Sequence, residues 1–289
     1  FGVVARATLR LNRRRKLERV VELGDVDDLQ KHFEERIAAG YLYGDFQFAI
    51  ARDSDEFMQR GVFACYRPVP NETPIEDSPK ELAPEDWKEL LYLAHAEPRR
   101  AFEVYSQYYL ATSGQIYWSD MHQLTTYVGT YHREVDARLC AHDPRSEMIA
   151  EMFVPRDALA SFISTVREDF RKNSTDLIYG TIRLVEREDE TFLAWARERF
   201  ACVVFNLHVQ HTAEGMARAR NDFRLLIDRA ISFSGSFYLT YHRWATREQI
   251  LACYPQMPEF LRLKRAHDPS EVFQSDWYRQ MRGMFADWL

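Results

Sequence analysis

Four segments in the second half of the chain alternate between apolar and polar residues, and this pattern constrains the fold more than any other feature. They read "MIAEMFV", "YGTIRLVE", "VVFNLHV" and "SFYLTYH", and helical segments separate them. Successive side chains of a strand point to opposite faces, so each segment predicts a β-strand with one apolar face and one polar face. Together they predict a sheet with helices packed on its apolar face.

The first half of the chain has a similar mixed character. Strands are predicted over residues 3–11 and 17–23, a helix over 25–40, and two further strands in "DFQFAIA" and "GVFACYRPV". Residues 84–140 are instead helical in pattern and rich in aromatics, which indicates an insertion. We therefore predict an α+β fold: a mostly antiparallel sheet covered by helices on one face, with a helical insertion.

The polar face of the second half-sheet carries groups that form hydrogen bonds. By strand parity the residues on this face are Glu151, Thr181, Arg183, Asn206, His208, Tyr238, Thr240 and His242. Antiparallel sheets often turn a polar face to water, and that alternative stays open. Arginine, asparagine, histidine and tyrosine are nevertheless better suited to orienting a ligand than to making a surface soluble.

Charge and hydropathy argue against two classes of partner. The chain has 38 basic and 44 acidic residues and a net charge of −6, whereas nucleic-acid binding needs a basic face. A membrane-spanning helix needs a run of roughly 18 or more apolar residues, and the sequence has none. We expect neither a nucleic-acid partner nor a membrane span.

Cysteine and histidine spacing offers no framework for a metal or a disulfide. The four cysteines lie far apart without a CxxC pair, so we expect free thiols and a cytoplasmic location. His208 and His211 have HxxH spacing but no evident third ligand, so no metal site is predicted. The sequence also lacks a glycine-rich phosphate loop of the GxGxxG or GxxxxGK[ST] type.

Both ends of the chain resemble FAD-linked oxidases of the vanillyl-alcohol oxidase type. Towards the C-terminus, the stretch "GSFYLTYHRWATREQILACYPQMPEFLRLKRAHDPSEVFQSDWY" has the family's glycine-led strand. It also has the family's spaced residues Phe260, Lys264, Asp268, Pro269 and Phe273. At the N-terminus, "FGVVARATLRL" resembles the strand that closes the family's FAD-binding domain.

This resemblance implies a ferredoxin-like substrate or cap domain whose polar sheet face lies over a flavin. Residues 1–12 would be the closing strand of an otherwise absent FAD-binding domain, 13–265 the cap domain, and 266–289 a segment returning to that domain. The chain begins within a strand and without Met, so we expect a fragment with upstream sequence missing. FAD would be bound mainly by that upstream domain, which is a partner of this chain.

The resemblance carries over to some site residues and not to others. Arg183 matches the Glu-Ile-Arg strand of alditol and aldonolactone oxidases, whereas Thr181 replaces the acid. His242 matches their His-Trp-x-Lys, and Tyr241 replaces a lysine of decaprenylphosphoryl-ribose oxidases. Lys264 has two open interpretations, a substrate-binding group or a structural ion-pair partner.

We therefore expect an enzyme domain that helps to oxidise a small alcohol or polyol by hydride transfer to FAD. His242, Arg183 and Tyr241 are the expected catalytic residues, since histidine accepts a proton near neutral pH. The expected substrate-binding residues are Glu151, Thr181, Asn206, His208, Tyr238 and Lys264. The alternative is a non-catalytic ligand-binding or interaction module of the same fold.

Overall fold

The computed structural model describes residues 4–77, 79–120 and 131–289, which form one sheet and the helices around it. The strands are β1 (Lys16–Asp25), β2 (Tyr43–Phe48), β3 (Arg60–Val69), β4 (Ile116–Trp118), β5 (Arg145–Pro155), β6 (Leu177–Val185), β7 (Phe200–Gln210) and β8 (Ser236–Phe237). The helices are α1 (Val26–Ala38), α2 (Pro84–Ala96), α3 (Pro98–Ala111), α4 (His132–Arg138), α5 (Leu159–Asn173), α6 (Ala213–Ser232), α7 (Arg247–Cys253), α8 (Met257–His267) and α9 (Asp276–Met284). Single 3₁₀ turns lie at Arg156–Ala158 and Ala286–Trp288.

The strands form one sheet in the order β4-β1-β3-β2-β6-β7-β5-β8, and all its pairings are antiparallel. Two βαββ units, β1-α1-β2-β3 and β5-α5-β6-β7, have the same topology and meet where β2 pairs with β6. The predicted α+β fold with a mostly antiparallel sheet is confirmed. The repeat of topology is not visible as a repeat of sequence.

Helices α1, α5 and α6 pack on the apolar face of the sheet and bury the largest core. Phe48 of β2 and Phe162 of α5 both approach Phe205 of β7, with ring centroids 6.2 and 6.4 Å apart. Burying a phenylalanine side chain contributes about 1.5–3 kcal/mol. This face therefore supplies much of the stability of the domain.

The helical insertion lies on the opposite face of the sheet. Helix α3 contacts β1 and β3, α2 contacts β6, and α4 contacts β5. Proline disfavours the helical conformation in the residue before it, so Glu97 separates α2 from α3 and the two helices fold back on each other. Helices thus cover one face fully and part of the other.

Four local predictions differ from the structure. The predicted strand over residues 3–11 is absent from residues 4 to 11, where Val4, Leu9 and Leu11 are exposed; residue 3 lies outside the described part. The predicted short helix in "DETFLAWARE" is irregular. Helix was also predicted through "QIYWSDMHQL", but Ile116–Trp118 is strand β4, paired with β1, and residues 121–124 are not described. The last strand ends at Phe237 because it pairs with β5 over only a few residues.

None of the helices formed by the described residues is both long enough and apolar enough to cross a membrane.

Candidate functional site

One cluster of polar side chains lies on the polar face near the C-terminal ends of β5 and β6 and the N-terminal end of β7. We call Glu151, Arg183, Cys202, Tyr238 and Tyr241 the Glu151 cluster. Cys202 Sγ donates a hydrogen bond to Glu151 Oε1 at 3.0 Å, and Arg183 is paired with Cys202 across the β6–β7 ladder. Burial raises the pKa of the Cys202 thiol and so keeps it protonated as a donor. Four of the five members were predicted from the sequence, and Cys202 was not.

Tyr241 joins this cluster because the chain leaves the sheet after Phe237. The Tyr238 and Tyr241 rings lie 4.7 Å apart, and Tyr241 hydrogen-bonds to Glu151. Desolvation, with the nearby carboxylate of Glu151, raises the pKa of Tyr241 to about 12. The phenol therefore stays protonated near neutral pH and acts as a donor to the carboxylate. Tyr241 is 46% exposed, so this end of the polar face is open.

A second cluster surrounds Asp45, a β2 residue that sequence reasoning missed. Thr181 Oγ1 donates to Asp45 Oδ2 at 3.5 Å. Burial raises the pKa of Asp45 to about 6, although the charges of Arg183 and Arg19 and the Thr181 hydroxyl oppose that rise. The sequence contained a pattern that places Asp45 on the polar face: in "DFQF" the residues Asp45 and Gln47 alternate with two phenylalanines. Thr181 is fully buried and Asp45 partly so.

A third cluster joins the insertion to the sheet and consists of His95 in α2, Glu147 in β5 and His208 in β7. His95 Nε2 lies 3.2 Å from Glu147 Oε1 and 3.2 Å from His208 Nδ1, and His208 Nδ1 lies 3.5 Å from Glu147 Oε1. The side chains are only 3%, 8% and 4% exposed, respectively. Burial raises the pKa of Glu147, but hydrogen bonds from His208 and His95 outweigh burial and leave it below the ordinary value.

Asn206 lies beside these clusters on β7, paired with Tyr179 of β6 and Ile149 of β5. Its Oδ1 atom is buried and, among the described residues, has no hydrogen-bond partner. An unpartnered buried acceptor is costly unless a ligand or water donates to it. Asn206 therefore adds a candidate ligand contact to the polar face, as predicted by parity.

The structure places His242 away from the polar face. Its ring lies 4.3 Å from the Phe223 ring and 5.9 Å from the Trp244 ring, and only 7% of the residue is exposed. Burial lowers the pKa of His242 to about 4. Strand parity stops at Phe237, so the predicted position of His242 beside Tyr238 is wrong. Thr240 is exposed in the turn that follows the strand.

Lys264 is likewise absent from the polar face. Its ammonium donates to Asp268 one turn further along, and it lies 4.8 Å from the centre of the Tyr278 ring. Asp268 in turn accepts hydrogen bonds from the backbone N–H groups of Val272 and Phe273, each at 2.9 Å. Of the two interpretations of Lys264, the structure supports the ion pair, which fixes the turn after α8.

Comparison with solved structures finds this fold in a solvent-stable cholesterol oxidase, with a TM-score of 0.58 and 11% sequence identity. The match covers 93% of this chain and 60% of the oxidase chain. No family model matches the chain, and no curated protein matches it in sequence. The similarity establishes a fold shared with part of an oxidase.

Proposed function

We propose that this chain is the substrate-binding domain of an FAD-dependent oxidoreductase that oxidises an alcohol or polyol by hydride transfer to flavin. The fold shared with a cholesterol oxidase supports an oxidase-type domain. The family resemblance of the two chain ends, which names FAD as the cofactor, supports it independently. The FAD-binding domain of the full-length protein is a required partner in this proposal.

The observation that carries the proposal is the Glu151 cluster at the open end of the polar face. A carboxylate, a guanidinium and two phenols lie on one patch of sheet that the insertion does not cover fully. A surface whose only role is solubility does not require a carboxylate that is hydrogen-bonded by a buried thiol and by a phenol. Such an arrangement suits a ligand with hydroxyl groups.

The side chains fit a flavin and its substrate. Arg183 offers a cation and hydrogen-bond donors, and Asn206 Oδ1 offers a free buried acceptor among the described residues. These donors and acceptors match the carbonyl and N–H groups along the polar edge of a flavin ring. The flavin, when bound, supplies the hydride acceptor. Arg183 and Asn206 would hold it from the side of this domain.

Glu151 is the proposed acceptor of the substrate hydroxyl proton. Alcohol oxidation needs such a group, and a carboxylate held by two donors is well positioned to take a hydrogen bond from a hydroxyl. The phenol oxygen of Tyr241, whose proton is directed to Glu151, would accept from a second substrate hydroxyl, and Arg183 would orient the substrate. His242 has no part in this scheme because its imidazole is enclosed by aromatic rings.

An anaerobic substrate screen of the full-length protein tests the proposal. Purified flavoprotein is mixed with a panel of alcohols, polyols and sterols, and loss of the oxidised flavin absorbance is followed by stopped flow. We expect at least one hydroxyl compound to bleach the flavin. A full-length protein that carries no flavin, or whose flavin no hydroxyl compound reduces, would instead favour a non-catalytic module of the same fold.

A further inference from the structure

We propose that His95, Glu147 and His208 bind a zinc ion that fastens the helical insertion to the sheet. The three residues come from α2, β5 and β7, and their ligand atoms all lie within 4.8 Å of one another. Imidazole nitrogen and carboxylate oxygen are ordinary zinc ligands. The site is separate from the Glu151 cluster and does not depend on flavin chemistry.

The distances between ligand atoms match a tetrahedral ion. His95 Nε2, His208 Nδ1 and Glu147 Oε1 are separated by 3.2, 3.2 and 3.5 Å. Zinc bonds of about 2.0–2.1 Å in tetrahedral geometry put neighbouring ligand atoms about 3.3–3.4 Å apart. Larger cations such as calcium, with bonds of about 2.3–2.6 Å, prefer six to eight oxygen ligands, whereas two of the three ligand atoms here are imidazole nitrogens. The ligand types and the distances together therefore favour zinc, with water as the fourth ligand.

The hydrogen bonds around His95 and Glu147 direct the ligand atoms of these two residues inwards. His95 Nδ1 lies 2.8 Å from the carbonyl oxygen of Leu91, which can only accept, so Nδ1 carries the proton and Nε2 presents its lone pair to the cluster. Tyr131 donates to Glu147 Oε2 at 3.1 Å, and His132 Nδ1 lies 2.9 Å from the same oxygen. Outer contacts of this kind orient the ligands of many metal sites.

A cation would replace a proton in the contact between His95 and Glu147. Since His95 Nδ1 carries one proton towards the Leu91 carbonyl, a hydrogen bond from Nε2 to Glu147 Oε1, 3.2 Å away, requires a second proton on the ring. A zinc ion between them turns both into ligands, whereas a proton on Nε2 would turn the contact into a hydrogen bond. Metal binding and protonation are thus the two competing ways of filling the site.

Arg145 disfavours metal binding at this site. Its Nη1 lies 3.4 Å from His208 Nε2, and its Nε has no hydrogen-bond partner among the described residues. When His208 binds zinc through Nδ1, its Nε2 carries a proton and can no longer accept from Arg145. The guanidinium must then turn away.

The position of the site indicates a structural ion. Glu147 and Glu151 lie on the same strand four residues apart, which corresponds to about 13 Å. An ion at Glu147 is too far from the Glu151 cluster to polarise the same hydroxyl. It would instead join α2 to β5 and β7 and so hold the insertion over the polar face.

Zinc binding is tested with the full chain after chelator treatment and removal of the chelator. Zinc chloride is titrated against a chromogenic chelator competitor, and the folded state is checked by circular dichroism. We expect one equivalent of zinc, a higher thermal midpoint with zinc than without, and, with cobalt in its place, the visible absorption of a tetrahedral ion. A folded chain that takes up less than about a fifth of an equivalent overturns the proposal, as does cobalt without tetrahedral absorption.

Two variants separate the cluster from other histidines. His95→Gln should weaken zinc binding by at least about 100-fold, since it removes a ligand. His211→Gln is the matched control, because that histidine pairs with the Ser146 hydroxyl at 2.7 Å instead of joining the cluster, and its affinity should equal that of wild type. Equal losses in the two variants would contradict the assignment. If His95→Gln does not fold, the stoichiometry and cobalt spectrum of the wild-type chain still decide the matter.

Discussion

Arg19 Nε donates a hydrogen bond to the Tyr66 hydroxyl at 2.9 Å across the β1–β3 ladder, and Arg19 Nη1 donates to Thr112 Oγ1 at the end of α3, also at 2.9 Å. All three residues are nearly or fully buried. The guanidinium also lies 4.7 Å from the centre of the Tyr117 ring. This buried cation therefore ties the insertion to the first half of the sheet.

Arg19→Met should lower the free energy of unfolding by about 2–4 kcal/mol, because it removes two buried hydrogen bonds from a charged donor. Urea denaturation followed by circular dichroism measures the change. Arg67→Met is the matched control on β3: its ion pair with Glu18 is partly exposed and should contribute about 0–1 kcal/mol. Similar losses in both variants would mean that Arg19 does not anchor α3.

Gly235→Ala should prevent folding or lower the free energy of unfolding by about 3 kcal/mol or more. An added Cβ would lie 2.1 Å from the carbonyl oxygen of Phe153 and 2.8 Å from that of Ala230, and both are backbone atoms that cannot turn aside. This close approach explains the glycine before β8. Gly283→Ala is the control, since nothing lies within 4 Å of its added Cβ in α9 and alanine favours the helix by about 1 kcal/mol. The midpoint of thermal unfolding should fall in Gly235→Ala and rise in Gly283→Ala.

His242→Phe should flatten the dependence of stability on pH below neutrality. Burial lowers the pKa of His242 to about 4 from 6.5, so between these values the unfolded chain binds more protons than the folded one. Stability from the neutral ring is present above pH 6.5 and is lost as the pH falls towards 4, on the order of 3 kcal/mol in total. Phenylalanine fits beside Phe223 and does not titrate.

Denaturant midpoints at pH 7, 5.5 and 4.5 measure this effect, with His142→Gln as the control because that side chain is exposed. A His242→Phe variant that loses stability with falling pH as steeply as wild type would exclude His242 as the source of the slope.

Glu151→Gln in the full-length protein should slow flavin reduction by about 10²-fold or more, as expected for loss of a positioned proton acceptor. The amide keeps the size of the side chain, so substrate binding should change less than the rate. Stopped-flow reduction against substrate concentration separates the two effects, and exposed Glu190→Gln is the control. An unchanged limiting rate in Glu151→Gln would remove Glu151 from the proposed chemistry.

Alternation in the sequence predicted the sheet and much of its polar face because strand period is a local property. The local sequence alone was enough to predict the face of the sheet on which Arg183, Glu151 and Tyr238 lie. The predicted position of His242 was wrong because alternation does not indicate where the pairing with β5 ends. The chain turns away from the sheet after Phe237. The role of Lys264 was left open, although its spacing of four residues from Asp268 is typical of an ion pair along a helix; the structure adds that both side chains are buried.

The histidine cluster could not have been found from spacing. His95 is separated from Glu147 by 52 residues and from His208 by 113 residues, and the HxxH spacing of His208 and His211 indicated no third ligand. The parity of Glu147 with Glu151 on β5 was a usable signal for the acid, but the histidine of α2 comes to it only through the packing of the insertion on the sheet.

The two βαββ units meet through a short ladder in which only Phe46↔Ile182 and Gln47↔Thr181 are paired, whereas β5 and β7 are paired along their whole length. Among the backbone amides of the central strands, those in the β2–β6 ladder should therefore exchange fastest with solvent. Asp45 and Thr181 face each other across it on the polar side. A molecule bound there would contact both units, so its binding should slow hydrogen exchange on both sides of this junction.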